Sequence, residues 1–420
     1  QILRRVGGDA VYGFRHALIR EAARESILKR TRRQLHARIA DTIVSRFVAD
    51  AAREPETVAQ HYTDAEEWPH AIDWWIQAGQ NAIVRFANAE AIAHLQSAVA
   101  IVEKLGEGPA RAERELALRV LLAIPLTMTR GWAAPEVVAQ YRRAEELCAR
   151  VGDTPQLFPT LVGVVTYYLV SGQFERGAEL ALRNLGIAEA ANDDELRLEA
   201  HLDRGNALFY LGRIDDSLAE LDKCLALYVP QKHHGHVLFY GKDPGAVALV
   251  HASLGHAIAG RIERARALAD AAVANTEAWP HPFTNLWALC ARAAVSAIAG
   301  DSAAEIATAR SIVEMAQAQG FPNWLAQGFC YLGHGNARTG NPTEGVAQLR
   351  QGIAIWEATG SALLQPFLRY LLADALRVSG DAPAALAEAR RATEIAEGTG
   401  ERWFFEPIAA MRDELAAHGP

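Results

Sequence analysis

Glycine spacing constrains this chain more than any other feature. Gly172, Gly212, Gly260, Gly300, Gly340 and Gly380 each follow an apolar run, at intervals of 40, 48, 40, 40 and 40 residues. A second series, Gly320, Gly360 and Gly400, falls midway and is also spaced by 40. Glycine reaches φ > 0 without a Cβ clash, so it ends a helix cleanly. Two such stops per repeat predict two helices of about 15–17 residues joined by short turns. Seven residues before each glycine of the first series stand Val165, Gly205, Ser253, Ala293, Gly333 and Ala373. Five residues after it stand Gly177, Ser217, Ala265, Glu305, Gly345 and Ala385. Both columns are small in five of six repeats, which lets paired helices approach closely.

Between these marks the helices are amphipathic. Leu218, Leu221 and Leu225 form one stripe, and Ile306, Ala309, Ile312, Val313 and Ala316 another. A helix pair cannot bury such a face alone, so neighbours must stack. The small-residue columns resemble those of tetratricopeptide repeats, whose standard period is about 34 residues. The longer period here predicts helices longer by half a turn to a turn. The expected fold is all-α: a right-handed α-solenoid of tetratricopeptide-like pairs with a concave surface.

Before Gly172 the phase weakens but helices continue. Pro55 opens one through Glu66, Pro69 opens the next, and Asn88 caps a third that ends at Gly106. Others fit 110–130, 135–151, 156–171 and 175–191. Length alone would allow about three domains, but no β-branched clusters read convincingly as strands. The eight-residue excess between Gly212 and Gly260 falls in Tyr228–Gly245, the longest stretch expected to be non-helical. The predicted organisation is a basic helical junction at 1–50, a first part of the arm at 51–228, an irregular loop at 229–245, and a second part at 246–420.

Charge and cysteine use exclude several classes. Hydrophobic residues make up 50% and charged residues 22%, a core-forming mix rather than a disordered one. Residues 1–50 carry eleven Lys or Arg against five Asp or Glu, a balance of +6, so the remainder carries −14 within the total of −8. An acidic total argues against direct nucleic-acid binding. The basic run Arg15–Arg38 reads as a helix whose charged face is solvated and packs on an upstream domain. Cys148, Cys224, Cys290 and Cys330 show no CxxC pattern. The longest apolar run, Phe158–Val170, contains Pro159 and is shorter than the ~20 residues of a membrane helix, so no membrane partner is expected. A first residue other than Met suggests a fragment of a longer cytoplasmic protein.

No catalytic signature emerges. Gly241-Lys242 is followed by Asp243, which spoils a phosphate loop, and neither HExxH nor GxSxG occurs. His233, His234, His236, His251 and His256 are the only ligand-rich group, but the five-residue spacing of His251 and His256 differs from the i, i+4 that places two ligands on one helix face. No metal site and no catalytic residue is expected. Aromatics cluster at Trp68, Trp74 and Trp75, at Trp279, Phe283 and Trp287, and at Trp403–Phe405. They read as core between stacked helices, or as the lining of a groove. Candidate ligand or partner contacts are Tyr240, Lys242, Asp243, His236, Trp279, Phe283 and Trp324. Asp243-Pro244-Gly245 also reads as a helix N-cap with proline in the first turn.

Phe14-Arg15-His16-Ala17-Leu18 through Arg32-Arg33-Gln34-Leu35-His36-Ala37-Arg38-Ile39-Ala40 resembles the junction after the ATPase and winged-helix modules of bacterial STAND-type ATPases. These include LuxR and maltose-activator regulators and class III adenylate cyclases that carry an ATPase module. Pro55–Tyr62, Ala71–Gly79 and Asn88–Leu95 continue the likeness. Tyr240–Gly245, His281–Phe283, Gly320–Trp324 and Gly400–Trp403 are similar to the cyclase-associated branch. Arg24 departs from the tyrosine usual there. The resemblance implies a non-catalytic sensor arm that binds a protein, a peptide or a small-molecule inducer and relays it to its own upstream ATPase. ATP would belong to that module, with no cofactor in this chain. Self-association or docking of the ATPase module is the alternative, with a possible homo-oligomer.

Overall fold

The computed structural model describes residues 3–5, 12–14, 22, 26–131, 134–148, 150–151 and 158–417. The chain divides into two compact units, Gln1–Arg111 and Ala112–Pro420. The first boundary therefore lies near 111 rather than at 50, because helices from both sides of residue 50 pack into one body.

The first unit begins with an antiparallel pair of short strands, β1 (Leu3–Arg5) and β2 (Tyr12–Phe14), in register Leu3 with Phe14 and Arg5 with Tyr12. This corrects the all-helical reading of residues 1–50. Five helices follow: α1 (Lys29–Arg46), α2 (Val48–Arg53), α3 (Pro55–Ala65), α4 (Trp68–Val84) and α5 (Asn88–Val102). Pro55 and Pro69 occupy first turns as expected. Asn88 is not a cap but the first helical residue, with Ala87 in the cap position. Tyr62 donates its hydroxyl to Asp41 at 2.9 Å, and Trp75 donates Nε1–H to Thr63 Oγ1 at 3.0 Å, tying α3 to α1 and α4. In the described part of the basic run, Arg33 and Lys29 both pair with Glu66 at the surface. Part of the junction motif, residues 15–21 and 23–25, lies outside the described residues.

The second unit holds most of α6 (Pro109–Arg130), then α7 (Pro135–Cys148), and then successive pairs: α8 (Phe158–Val170) with α9 (Phe174–Ala191), and α10 (Asp194–Tyr210) with α11 (Ile214–Leu227). The segment expected as an irregular loop is instead mostly short helical turns. It holds α12 (Pro230–His233), a 3₁₀ turn (His234–His236) and α13 (Val237–Tyr240). Each is too short to leave a periodic signal. The pairs resume with α14 (Pro244–Ile258) and α15 (Ile262–Ala278), α16 (Pro282–Ile298) and α17 (Ser302–Gln319), α18 (Pro322–Arg338) and α19 (Pro342–Ala358), α20 (Gln365–Val378) and α21 (Ala382–Thr399), closing with α22 (Phe405–Ala417). This is an all-α solenoid.

Every glycine of the two phase series has positive φ, between 67° and 100°. The small columns meet across each pair. Ser217 donates its hydroxyl to Gly205 O at 2.7 Å. A Cβ on Gly333 would stand 2.5 Å from Gly345 O, and one on Gly345 would stand 2.4 Å from Gly333 O. Glu305, the large exception, is fully buried and meets His334 Nδ1 at 2.9 Å. His334 Nε2 lies 3.2 Å from Asp374, which also accepts from Arg338 and Arg377 at 2.6 Å. A missing small contact is thus replaced by a charged network linking α17, α18 and α20.

The second unit also closes on itself. Ala362 N donates to Val170 O at 3.0 Å, and Arg402 N donates to Tyr210 O at 2.7 Å. The turns after α8 and α10 therefore touch the segments after α19 and α21. Gly212 permits this approach, since a Cβ there would meet Arg402 Cβ at 2.7 Å. Glu401, 2% exposed, accepts from Leu364 N at 3.1 Å and from Trp403 Nε1 at 2.7 Å at the same seam.

Candidate functional site

Closure leaves a chamber inside the second unit. Its cavity volume is about 160 Å³, far above the ~10–15 Å³ that one water needs. The first helix of each pair, from α8 to α20, contributes to its wall, together with α6, Tyr141, Tyr240–Lys242, Trp356, Ser361, Leu363, Leu364 and Trp403. The walls are largely apolar and include eleven aromatic residues. Phe283 stands edge-to-face with Trp324 at 5.1 Å between centroids, and Trp287 lies 5.8 Å from Trp324. Trp403 packs on Phe209 at 5.0 Å and Phe367 at 5.1 Å.

One end is polar. It is built by α10, whose N-terminus is capped by Asp193, with its side chain accepting from Glu195 N at 2.8 Å. Glu199, Asp203, Asn206 and Tyr210 follow at helical spacing on α10, and the last three line the chamber. Gly241, at φ 70°, turns the chain after α13 and presents Lys242. Lys242 Nζ stands 3.4 Å from Asp203 Oδ1, and both residues are at least 95% buried. Burial raises the Asp203 pKa to about 7, against the pull of Lys242. Asp203 Oδ2, Asn206 Oδ1 and Trp324 Nε1 are buried without a hydrogen-bond partner. His251 is a neutral spacer. Burial lowers its pKa to about 4, its Nδ1 meets Val247 O at 3.0 Å and its Nε2 meets Tyr210 OH at 3.2 Å.

Four of the seven contacts expected from sequence line this chamber: Tyr240, Lys242, Phe283 and Trp324. The other three do not. Asp243 caps α14, accepting from Ala246 N at 2.8 Å and from Tyr228 OH at 2.9 Å, as the N-cap reading anticipates. His236 is buried against Glu199, Nδ1 to Oε1 2.7 Å; burial opposes its charge, but the Glu199 bond raises its pKa. Trp279 packs against the His234 ring at 4.9 Å. Asp203, Asn206 and Tyr210 escape sequence reasoning. Their available signal is a polar stripe running through the apolar neighbours Leu198, Leu202, Leu208 and Phe209. Among the described residues, no group of three His, Cys, Asp or Glu is arranged to hold a metal ion. No helix among them is long and apolar enough to cross a membrane.

Comparison with known proteins places this fold. No family model matches the chain. An uncharacterized protein of Rhizobium meliloti (strain 1021) is 24% identical over 417 residues, covering 98% of this chain. The chain spans 40% of that relative's length. Among solved structures, a Rap protein complexed with Competence and Sporulation Factor aligns with a TM-score of 0.57 at 12% identity, over 84% of this chain and 99% of that one. A signal-transduction ATPase with numerous domains and a tetratricopeptide-repeat sensor, from Pyrococcus horikoshii, aligns with a TM-score of 0.54 at 13% identity, over 96% of this chain and 58% of that one. At such identities the likeness is one of fold: a tetratricopeptide-like helical arm.

Proposed function

We propose that the chain is a non-catalytic sensor arm whose chamber takes a peptide or small inducer. The occupied state is then relayed to an ATPase module of a longer protein with a cyclase or transcriptional output. The observation that carries the reading is the chamber itself. Aromatic walls and buried polar atoms without partners are what a ligand site offers and a finished core avoids. The fold neighbours agree in kind: one is complexed with Competence and Sporulation Factor, and in the other the repeats form a sensor. The length of the Rhizobium relative leaves room for further modules. A thermal-shift screen of apolar peptides and small molecules tests the reading, with Ala294→Phe as the control that fills the chamber. A compound that stabilises the wild type but not the variant supports it. Equal shifts in both proteins for every hit refute it.

A docking role has one observation in its favour. In the first unit the adjacent Phe47 and Val48, where α1 ends, are 53% and 65% exposed. Light scattering across concentration tests whether this face joins copies of the chain; a strict monomer removes self-association.

A further inference from the structure

We infer that the polar end of the chamber receives a cationic nitrogen group, an ammonium carried on an apolar or aromatic body. The inference rests on the reading of the chamber as a ligand site. It starts from which partners are missing. Asp203 is 1% exposed and Asn206 4% exposed, yet Asp203 Oδ2 and Asn206 Oδ1 accept no hydrogen bond. They stand three residues apart on α10, so they lie on one helix face. Both line the chamber. Leaving a buried acceptor unfilled costs about 1–3 kcal/mol. Trp324 Nε1, also unpartnered in the wall, is a donor; at Asp203 and Asn206 the vacancy is for donors, and an N–H-bearing group fills it.

Charge points the same way. Lys242 engages Asp203 through Oδ1 alone, at 3.4 Å. One turn back, Glu199 adds a second carboxylate; its Oε1 meets His236 Nδ1, and its Oε2 also has no partner. Glu199 and Asp203 thus stand beside His236 and Lys242; of these four, Asp203 and Lys242 line the chamber. The aromatic rings of Tyr210, Tyr240, Trp287 and Trp324 in the wall offer π faces, which attract cations. An anion would meet repulsion from both. A body without a donor would leave Asp203 Oδ2 unpaired. Lys242 is the one opposing charge within the chamber wall at this end, and it is already held by Asp203.

The test is displacement of Nile red, a neutral apolar dye, from the full chain. The competitors are three near-isosteres: phenethylammonium, phenethyl alcohol and hydrocinnamate. A second arm compares Phe-Leu amide with its N-acetyl form, to tell a peptide N-terminus from a simple amine. The ammonium form is expected to displace the dye at about tenfold lower concentration than the alcohol or the acid. Asp203→Asn keeps the shape and an acceptor but removes the charge, so it is expected to erase that advantage while dye binding persists. Asn206→Ala, expected to reduce the advantage about threefold, carries the test if Asp203→Asn does not fold. Equal displacement by alcohol or acid, or an advantage that survives both substitutions, overturns the inference. Dye binding in that case leaves the chamber reading standing. No dye binding to the wild type overturns both.

Discussion

Gly333→Ala adds one methyl group where α18 meets α19, and the geometry sets its cost. The new Cβ would stand 2.5 Å from Gly345 O, 2.8 Å from Leu349 N and 3.0 Å from Gln348 Cβ. Two of those atoms are backbone, so no side chain can swing aside; the helices must part. Overpacking of this kind costs about 1–3 kcal/mol. Alanine also favours a helix interior over glycine by about 0.5–1 kcal/mol, which offsets part of that cost. The net loss expected is about 1–2 kcal/mol. Gly186→Ala on α9 is the matched control. It lies mid-helix, and its new methyl would meet nothing within 4 Å, so it keeps only the helix gain and stabilises by about 0.5–1 kcal/mol. Urea unfolding followed by far-ultraviolet circular dichroism reads both. Opposite signs support close approach at the small columns. A Gly333→Ala midpoint at or above the wild type would refute it.

Two further predictions concern buried charge. Burial raises the Glu401 pKa from 4.5 to about 8, despite its bonds from Trp403 and Leu364. An acid with a raised folded pKa loses stability as pH climbs through that range. Glu401→Gln keeps the acceptor, so it should match the wild type near pH 5 and exceed it by about 2–4 kcal/mol near pH 9, read from urea midpoints. His334 behaves differently: burial opposes its charge, yet bonds to Asp374 and Glu305 raise its pKa from 6.5 to about 9. Its contribution is complete below pH 6.5 and fades as pH rises through about 9. His334→Gln should cost about 3 kcal/mol near pH 6 and less near pH 10, by the same unfolding assay.

Much of the second unit is legible in the sequence because its signals are local. A glycine stop needs only its own φ, and the small columns need only the facing helix, so Gly205 with Ser217 and Gly333 with Gly345 follow from spacing. The Asp243 cap is a three-residue pattern and is equally readable. Closure is different in kind. Val170 meets Ala362, and Tyr210 meets Arg402, through the summed rotation of every intervening repeat, which no single repeat encodes. The chamber exists because of that closure, so Asp203 and Asn206 could be seen as polar residues on a helix but not as residues facing a shared cavity. Residues 229–245 misled for another reason. Pro230, Gly235 and Gly241 punctuate the segment so often that its helical turns stay shorter than one amphipathic period.

The central claim is that the closed second unit holds a ligand inside it. Its most direct test is a fluorescence titration of Nile red into the wild type and into Ala294→Phe, whose ring would occupy the space beside Trp287 and Cys290 on α16. One saturable site per chain is predicted in the wild type, lost in the variant while helicity is unchanged. Equal binding by both proteins would contradict the claim.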